Sequence, residues 1–293
     1  MAILNNADRA YAVGVTTATA TAPTSYNELA YDNSSLLNRT TQTVQSNNIY
    51  KGAQAGATIG TRDEFGGDLS FDISNDEAFY LIVQSALGNA WANGECKGGA
   101  TQQWLWLKET LGGTGRMFKN HLCTSLQISG STTTVATASA TFMGLGIGAE
   151  TVENVNEATA TETVNGLQTV LNVGSMTGLK LREFSITIAR EHSFEHSMIN
   201  RAPEGLSTNA PRRVNVTGSV IMDETNYQTM SAMVESGPVA ANLALGNVIT
   251  FDMPAVRVTS VTQAASGASL VNFAFAAEVN AGGDITAIRP TGE

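Results

Sequence analysis

Polar and apolar residues alternate one by one through much of this sequence. Leu69, Phe71 and Ile73 alternate with Asp68, Ser70 and Asp72, the period of a strand that buries one face. Trp104 and Trp106 alternate with Leu105 and Leu107. Leu126 and Ile128 lead through Ser129-Gly130-Ser131 into Thr132 to Phe142, where Ala136, Ala138 and Ala140 alternate with Thr137, Ser139 and Thr141. That spacing predicts a hairpin turning at the glycine. Val248 to Val261 and Leu270 to Val279, separated by a polar turn through Gly267, predict another. The chain is therefore expected to be mainly β.

Two segments break this period and predict helices. Ser74-Asn75-Asp76-Glu77 has the form of a capping box, and Phe79, Ile82, Val83 and Ala86 follow at helical spacing before Gly88. Thr225-Asn226-Tyr227-Gln228 is a second such box, followed by Met230, Met233 and Val234, then Gly237 and Pro238. The two starts lie 151 residues apart. At that offset Ser34/Ser185, Arg39/Arg190, Ser46/Ser197, Arg62/Arg213, Gly67/Gly218, Asp72/Asp223, Asn75/Asn226, Val83/Val234 and Ser85/Ser236 are identical. Chance would give roughly three identities over so short a stretch, so an internal duplication is expected. Residues 1–150 and 151–293 form the two expected copies, each a β unit with one flanking helix. The length of 293 residues fits two domains of ~150 residues. Glu150 to Asn165, with four glutamates and few large apolar residues, is the expected link.

Composition narrows the function. Only 14% of residues are charged against 42% apolar, well under an ordinary soluble surface, so the chain is expected to cover surface by assembling. A formal net charge of −10 argues against holding nucleic acid through its phosphates. Met1 to Val13 lacks the basic stretch of a secretion signal, and the apolar run Phe79 to Val83 is far too short to span a membrane. Assembly in a cytoplasm is the expectation, with Cys96 and Cys123 as free thiols. Ile49 to Asp63 and Asn200 to Val214 are long Gly/Ala/Pro-rich segments, a length that loops usually reach for a functional reason.

One motif tests an enzymatic reading. His192-Ser193-Phe194-Glu195-His196 has the H-x-x-E-H spacing that on a helix places two imidazoles ~6 Å apart, close enough to share a zinc ion. It follows Phe184, Ile186 and Ile188 alternating with Glu183, Ser185 and Thr187, which predicts a strand, and on a strand the two rings lie ~13 Å apart. No nucleophile elbow, P-loop or dinucleotide fingerprint follows a predicted strand. No catalytic residue, metal or cofactor is expected.

The order of elements carries a resemblance. A strand, a Gly-rich loop and R-x-x-x-x-G at Arg62 to Gly67 precede "FDISNDEAFYLIVQSALGNAW", "WLWLKETLGGTGRMFKNHLCTSLQISG" and a Thr/Ala hairpin. Residues 25 to 145 so arranged resemble the tail tube proteins of long-tailed bacteriophages, and "VNVTGSVIMDETNYQTMSAMVES" and "FAFAAE" extend the likeness into the second half. The resemblance implies two tandem tail-tube-like β-sandwich or barrel domains, a virion protein of a non-contractile tail whose rings stack into the tube that conducts the genome. Many such proteins carry one tube domain per chain and close as hexamers, so two copies here imply three chains per ring. It further implies contact with tape measure, terminator and distal tail proteins, and passage of DNA without specific binding. No immunoglobulin-like decoration domain is expected after Glu293. A tube subunit of a contractile tail or bacterial injection machine is the alternative, ahead of a surface or pilus-like β protein. Under this resemblance Asp68, Asp72, Glu183 and Asp223 are candidates to line the channel, since an acidic wall repels DNA. Lys51, Arg62, Arg201, Arg212 and Arg213, in the two long segments, are candidates to bridge chains or rings.

Overall fold

In a computed structural model the chain is described over residues 9–19, 21–32, 35–45, 49–50, 54–55, 58–111, 114–149, 155–158, 162–263, 270–278 and 283–290. The first half contains β1 (Arg9–Thr16), β2 (Tyr26–Leu29), β3 (Leu36–Gln45), β4 (Ile49–Tyr50), β5 (Gln54–Ala55), β6 (Thr58–Asp72), α1 (Glu77–Leu87), β7 (Glu95–Lys97), β8 (Trp104–Leu111), β9 (Thr114–Ser131) and β10 (Thr137–Ala149). After β11 (Val155–Asn156) the second half contains β12 (Thr169–Val173), β13 (Met176–Ala189), β14 (His192–Glu195), β15 (Gly205–Thr208), β16 (Arg213–Ile221), α2 (Glu224–Glu235), β17 (Val239–Leu245), β18 (Ile249–Gln263), β19 (Leu270–Ala277) and β20 (Thr286–Ile288). The molecule is mainly β.

Both halves run through the same pairing order. β1, β8, β9, β10, β6 and β3 are successive neighbours in the first, and β12, β17, β18, β19, β16 and β13 in the second. β13 also pairs with β12, which closes the second circuit. In the first half β2 and β3 divide that role: β2 pairs with β1 and β3 with β6.

Irregularities repeat along with the order. The β9–β10 ladder skips Thr124, whose hydroxyl donates to Thr141 O at 3.2 Å, and the β18–β19 ladder skips Thr259, whose hydroxyl donates to Ala274 O at 3.0 Å. A second bulge recurs where Leu105 opposes His121 and Val239 opposes Val256. These matches set β9 against β18 at an offset of 135, while Asn27/Met176 and Gly67/Val216 set the earlier strands at 149. Equivalent positions are thus not separated by the expected 151: before α1 Gly67 stands where the second half has Val216 and not Gly218, and after α1 an added stretch that includes β7 shortens the interval to 135.

The helix starts differ from the expected boxes. Asp76, with extended backbone, is the N-cap of α1, and Ser74 is instead bridged to Thr163. On α2 the cap is Asp223, whose carboxylate accepts from Asn226 N–H at 2.8 Å, so Thr225 falls inside the first turn. On both helices an aspartate next to the first helical residue takes the cap in place of the expected Ser74 and Thr225. Gly88 ends α1 in the left-handed conformation at φ 66°. The predicted turn at Gly130 also moves: β9 continues through Ser131 and the chain turns at Thr132 to Ser131's hydrogen-bonded partner Thr134. Gly130 stays in the strand because Phe184 lies over it, and a Cβ there would sit 2.8 Å from the ring. The turn through Gly267 lies outside the described residues.

A single core joins the halves, with Phe71, Phe79, Ile82 and Phe118 in the same cluster as Phe251, Val258 and Phe275. β9 receives β13 along Ser125–Ser131, and β7 pairs with β20. α1 lies at this junction. Tyr80 Oη donates to Val248 O at 2.9 Å, and Arg289 lies over the rings of Tyr80 and Trp91 while pairing with Glu77 at 2.8 Å. Among the described residues no helix is long and apolar enough to cross a membrane.

Candidate functional site

Alternation fixes which side chains share a face, and the ladders fix which strands lie side by side. On β6, Asp68, Ser70 and Asp72 stand opposite Thr141, Ser139 and Thr137 of β10. Those three stand opposite Ser125, Gln127 and Ser129 of β9, which stand opposite Ala189, Thr187 and Ser185 of β13. The row continues onto β16 through Asn215 and Thr217, and Glu183 stands opposite Ser131 and Ser219. Directly opposed residues in antiparallel strands point to the same side. The result is one hydroxyl- and amide-rich face that crosses from the first half to the second without a break.

Carboxylates on this face are few and spread out. Asp68 accepts from the Thr141 hydroxyl at 2.7 Å, and across the junction Gln127 Nε2 donates to Ser185 Oγ at 3.1 Å. A depression of about 610 Å³ over the junction is lined by Ser129, Thr137, Glu183, Ser185, Thr217 and Asn272 among others. Its lining mixes hydroxyls with Val135, Phe184 and Phe273, and Glu183 is its carboxylate.

The four acidic candidates therefore divide. Asp68, Asp72 and Glu183 are exposed on the shared face. Asp223 lies beyond the end of β16, and its carboxylate is engaged in capping α2.

The basic candidates divide as well. Arg62 is exposed on β6, two strand periods beyond the Gly66 position. Arg213 is exposed at the start of β16, 4.0 Å from Glu191. Arg201 reaches from the loop after β14 into the first half, pairing with Asp63 at 3.2 Å, while its carbonyl accepts from Asp63 N–H at 2.9 Å. Arg39 holds the same carboxylate at 2.7 Å, and the Thr41 hydroxyl donates to it. Although burial opposes it, hydrogen bonds from Thr41 and Arg39 and the charges of Arg39 and Arg201 hold the Asp63 carboxyl below its ordinary range. Arg212 is buried. It pairs with Asp284 at 2.9 Å and donates to Leu87 O and Gly99 O, gripping the C-terminal end of α1 from the second half. Lys51 lies outside the described residues.

The segment with metalloprotease spacing is a strand. β14 carries His192 to Glu195, pairs with β15, and leaves His196 beyond its end. Among the described residues no cluster of three His, Cys, Asp or Glu side chains is placed to hold a metal ion. Both cysteines are free and buried, and burial pushes each thiol up to about 12.

Two features escaped sequence reasoning: the β9–β13 junction, and the strand edges that have no ladder among the described residues at β3 and at the end of β18. One signal for them was present. Leu122-Cys123-Thr124-Ser125-Leu126 and Arg257-Val258-Thr259-Ser260-Val261 share Thr-Ser between apolar positions, at the offset of the matched bulges. Compared with known families, residues 6–289 match the model described as phage tail tube protein. No curated protein matches the chain.

Proposed function

This chain belongs to the phage tail tube protein family, a structural family of the virion tail, and from that premise we propose that it polymerises as stacked rings into the hollow tube through which the genome passes. Three chains close each ring, and each chain supplies two of six wall segments. The observation that carries this reading is the β9–β13 ladder, where one copy of a repeated pairing order joins the next edge to edge inside a single chain. Repeating that junction from chain to chain extends a wall of uniform construction, and cyclic closure gives a ring.

The hydroxyl-rich face is the one turned to the channel. Ser, Thr, Asn and Gln side chains solvate most of the wall, Asp68, Asp72 and Glu183 add repulsion toward a polyanion, and Arg213, opposite Ala189, is the cation at the margin of the described rows. Arg62 and Arg213, exposed toward the far ends of β6 and β16, and Arg201, whose side chain is half exposed beside Asp63, contact the neighbouring chain or ring, together with Lys51. Assembly takes place in the host cytoplasm together with other tail proteins.

Negative-stain microscopy of the purified chain under assembly conditions tests the tube, and native mass spectrometry of released rings tests the count. Tubes with a regular axial repeat that dissociate to three-chain rings are expected. Persistent monodisperse particles would refute polymerisation, and a six-chain smallest ring would refute the two-segment chain.

A further inference from the structure

Asparagine is among the chemically labile side chains, and most so before glycine. There the glycine's backbone nitrogen can attack the asparagine's own side-chain amide, because no Cβ on the second residue obstructs ring closure. The bond from nitrogen to Cγ forms as the Cγ–Nδ2 bond breaks and ammonia leaves, giving a five-membered succinimide. Water, the only co-reactant, then opens either carbonyl. The product is aspartate or isoaspartate, and isoaspartate carries the former side-chain methylene as an extra atom of the main chain. Asn-Gly occurs twice in this sequence, at Asn93-Gly94 and Asn165-Gly166.

The fold treats the two sites differently. Gly166 is buried, its N–H donates to Thr134 O at 3.3 Å, and a Cβ on it would sit 1.9 Å from the carbonyl oxygen of Ser131. Asn165 N–H is itself engaged with Gln168 Oε1 at 3.3 Å. Asn93 is exposed. With φ 52° at Asn93 and 78° at Gly94, these two form a two-residue turn closed by Ala92 N–H to Glu95 O at 2.8 Å and Glu95 N–H to Ala92 O at 3.0 Å. Ring closure requires Asn93 to rotate out of the left-handed region, and this isolated bridge is what holds the turn. Neither the Asn93 amide nor Gly94 N–H has a partner among the described residues. A depression of about 470 Å³ lined by Asn89, Asn93, Glu95 and Lys97 among others brings water to the turn.

We propose that Asn93 is the site at which this chain modifies itself by deamidation, and that the isoaspartate formed there releases the C-terminal strap, residues 283–290. Gly94 holds the end of that strap, since its carbonyl accepts from Arg289 N–H at 2.9 Å. Next to it Ile288, Ala287 and Thr286 of β20 stand opposite Glu95, Cys96 and Lys97 of β7, and the Arg289 guanidinium lies over Trp91. β20 also pairs with β18, so the turn bears on a contact between the two halves. A two-residue turn cannot take in an extra main-chain atom and keep both Ala92–Glu95 bonds. The displaced Gly94 carbonyl is then lost to Arg289, and β7 slips against β20. The new carboxylate adds to the charge of Glu95 on the same turn. Because the turn belongs to the stretch added after α1, the second half has no equivalent site. Neither step depends on assembly into a tube.

Ageing the full-length chain tests both steps. Samples held at pH 7 and pH 9 are digested at mildly acidic pH and read by peptide mass spectrometry, with electron-transfer fragmentation to tell isoaspartate from aspartate. Asn93 should convert at least roughly tenfold faster than Asn165, because a buried, hydrogen-bonded amide reacts only when its surroundings open. Conversion should be faster at pH 9, where the Gly94 amide loses its proton more often. Hydrogen exchange of peptides covering residues 283–290 should quicken in the aged chain. Asn93→Gly suits the left-handed turn and cannot form the ring, so the same treatment should leave its exchange unchanged. Three outcomes overturn the proposal: Asn93 converting no faster than Asn165, isoaspartate at position 93 with unchanged exchange at residues 283–290, or equal quickening in aged Asn93→Gly.

Discussion

The two helices occupy matching places in the two halves and live in different surroundings. Every residue of α1 from Ala78 to Leu87 is buried, including Gln84 and Ser85, whereas α2 buries only Met230 and Met233. α1 lies where the halves meet, with its own sheet on one side and Val248, Arg212 and Arg289 of the second half on the other. α2 packs on β18 and leaves its remaining side to solvent. The helix that lies between the halves buries nearly its whole circumference, polar Gln84 and Ser85 included, and its counterpart away from that junction keeps a polar face.

The comparison is broken most directly by truncating side chains on each helix. Phe79→Ala should cost ~3–5 kcal/mol, since it opens a cavity where no solvent reaches, while Val234→Ala should stay within about 0.5 kcal/mol. Urea unfolding of the two variants measures this. Similar losses would mean that α2 is as deeply held as α1.

Adjacent arginines sharpen it further. Arg212 and Arg213 are neighbours in sequence, but the first is buried against Asp284 and the end of α1 and the second is exposed. Arg212→Ala should destabilise by about 3 kcal/mol by leaving buried acceptors and a carboxylate without their partner. Arg213→Ala should change folding stability by less than about 1 kcal/mol, as exposed pairs do. Thermal unfolding scans of both decide whether the second half clamps α1.

The smallest effect is a pH dependence confined to the first half. His121 is buried where the second half has Val256, and Gly144 makes room for its ring. Nδ1 donates to Lys119 O at 3.1 Å, Nε2 has no partner among the described residues, and burial lowers the imidazole to about 3. The folded state holds it neutral, so the unfolded chain binds the extra proton between about 6.5 and about 3. Its contribution is fully present above pH 6.5 and is lost progressively as pH falls toward 3. His121→Val, which copies the second half, should flatten the loss of stability between pH 7 and pH 5. Parallel slopes for variant and parent would show that His121 is not the titrating group.

The sequence disclosed this molecule unevenly. Alternation at Leu69, Phe71 and Ile73 and helical spacing at Phe79, Ile82 and Val83 are local properties, and both elements form where they predict. The caps moved from Ser74 to Asp76 and from Thr225 to Asp223, next to where each helix begins. Gly130 was misplaced as a turn because its small size serves Phe184, a residue more than fifty positions away. Asp68, Asp72 and Glu183 could be identified as outward-facing from their period, but not as neighbours on one continuous face.

By itself the sequence determined which residues face inward, which two stretches are helical and that the order of elements repeats, since each follows from periodicity and from side-chain preferences along a few neighbouring residues. Only the tertiary structure decided that β9 receives β13, that Arg212 is held inside while Arg213 remains outside, and that β3 and the end of β18 each keep one edge without a ladder among the described residues. Strand pairing is made by backbone N–H and C=O groups that are the same at nearly every residue, so the choice of partner depends on where distant side chains pack and where bulges turn the edges.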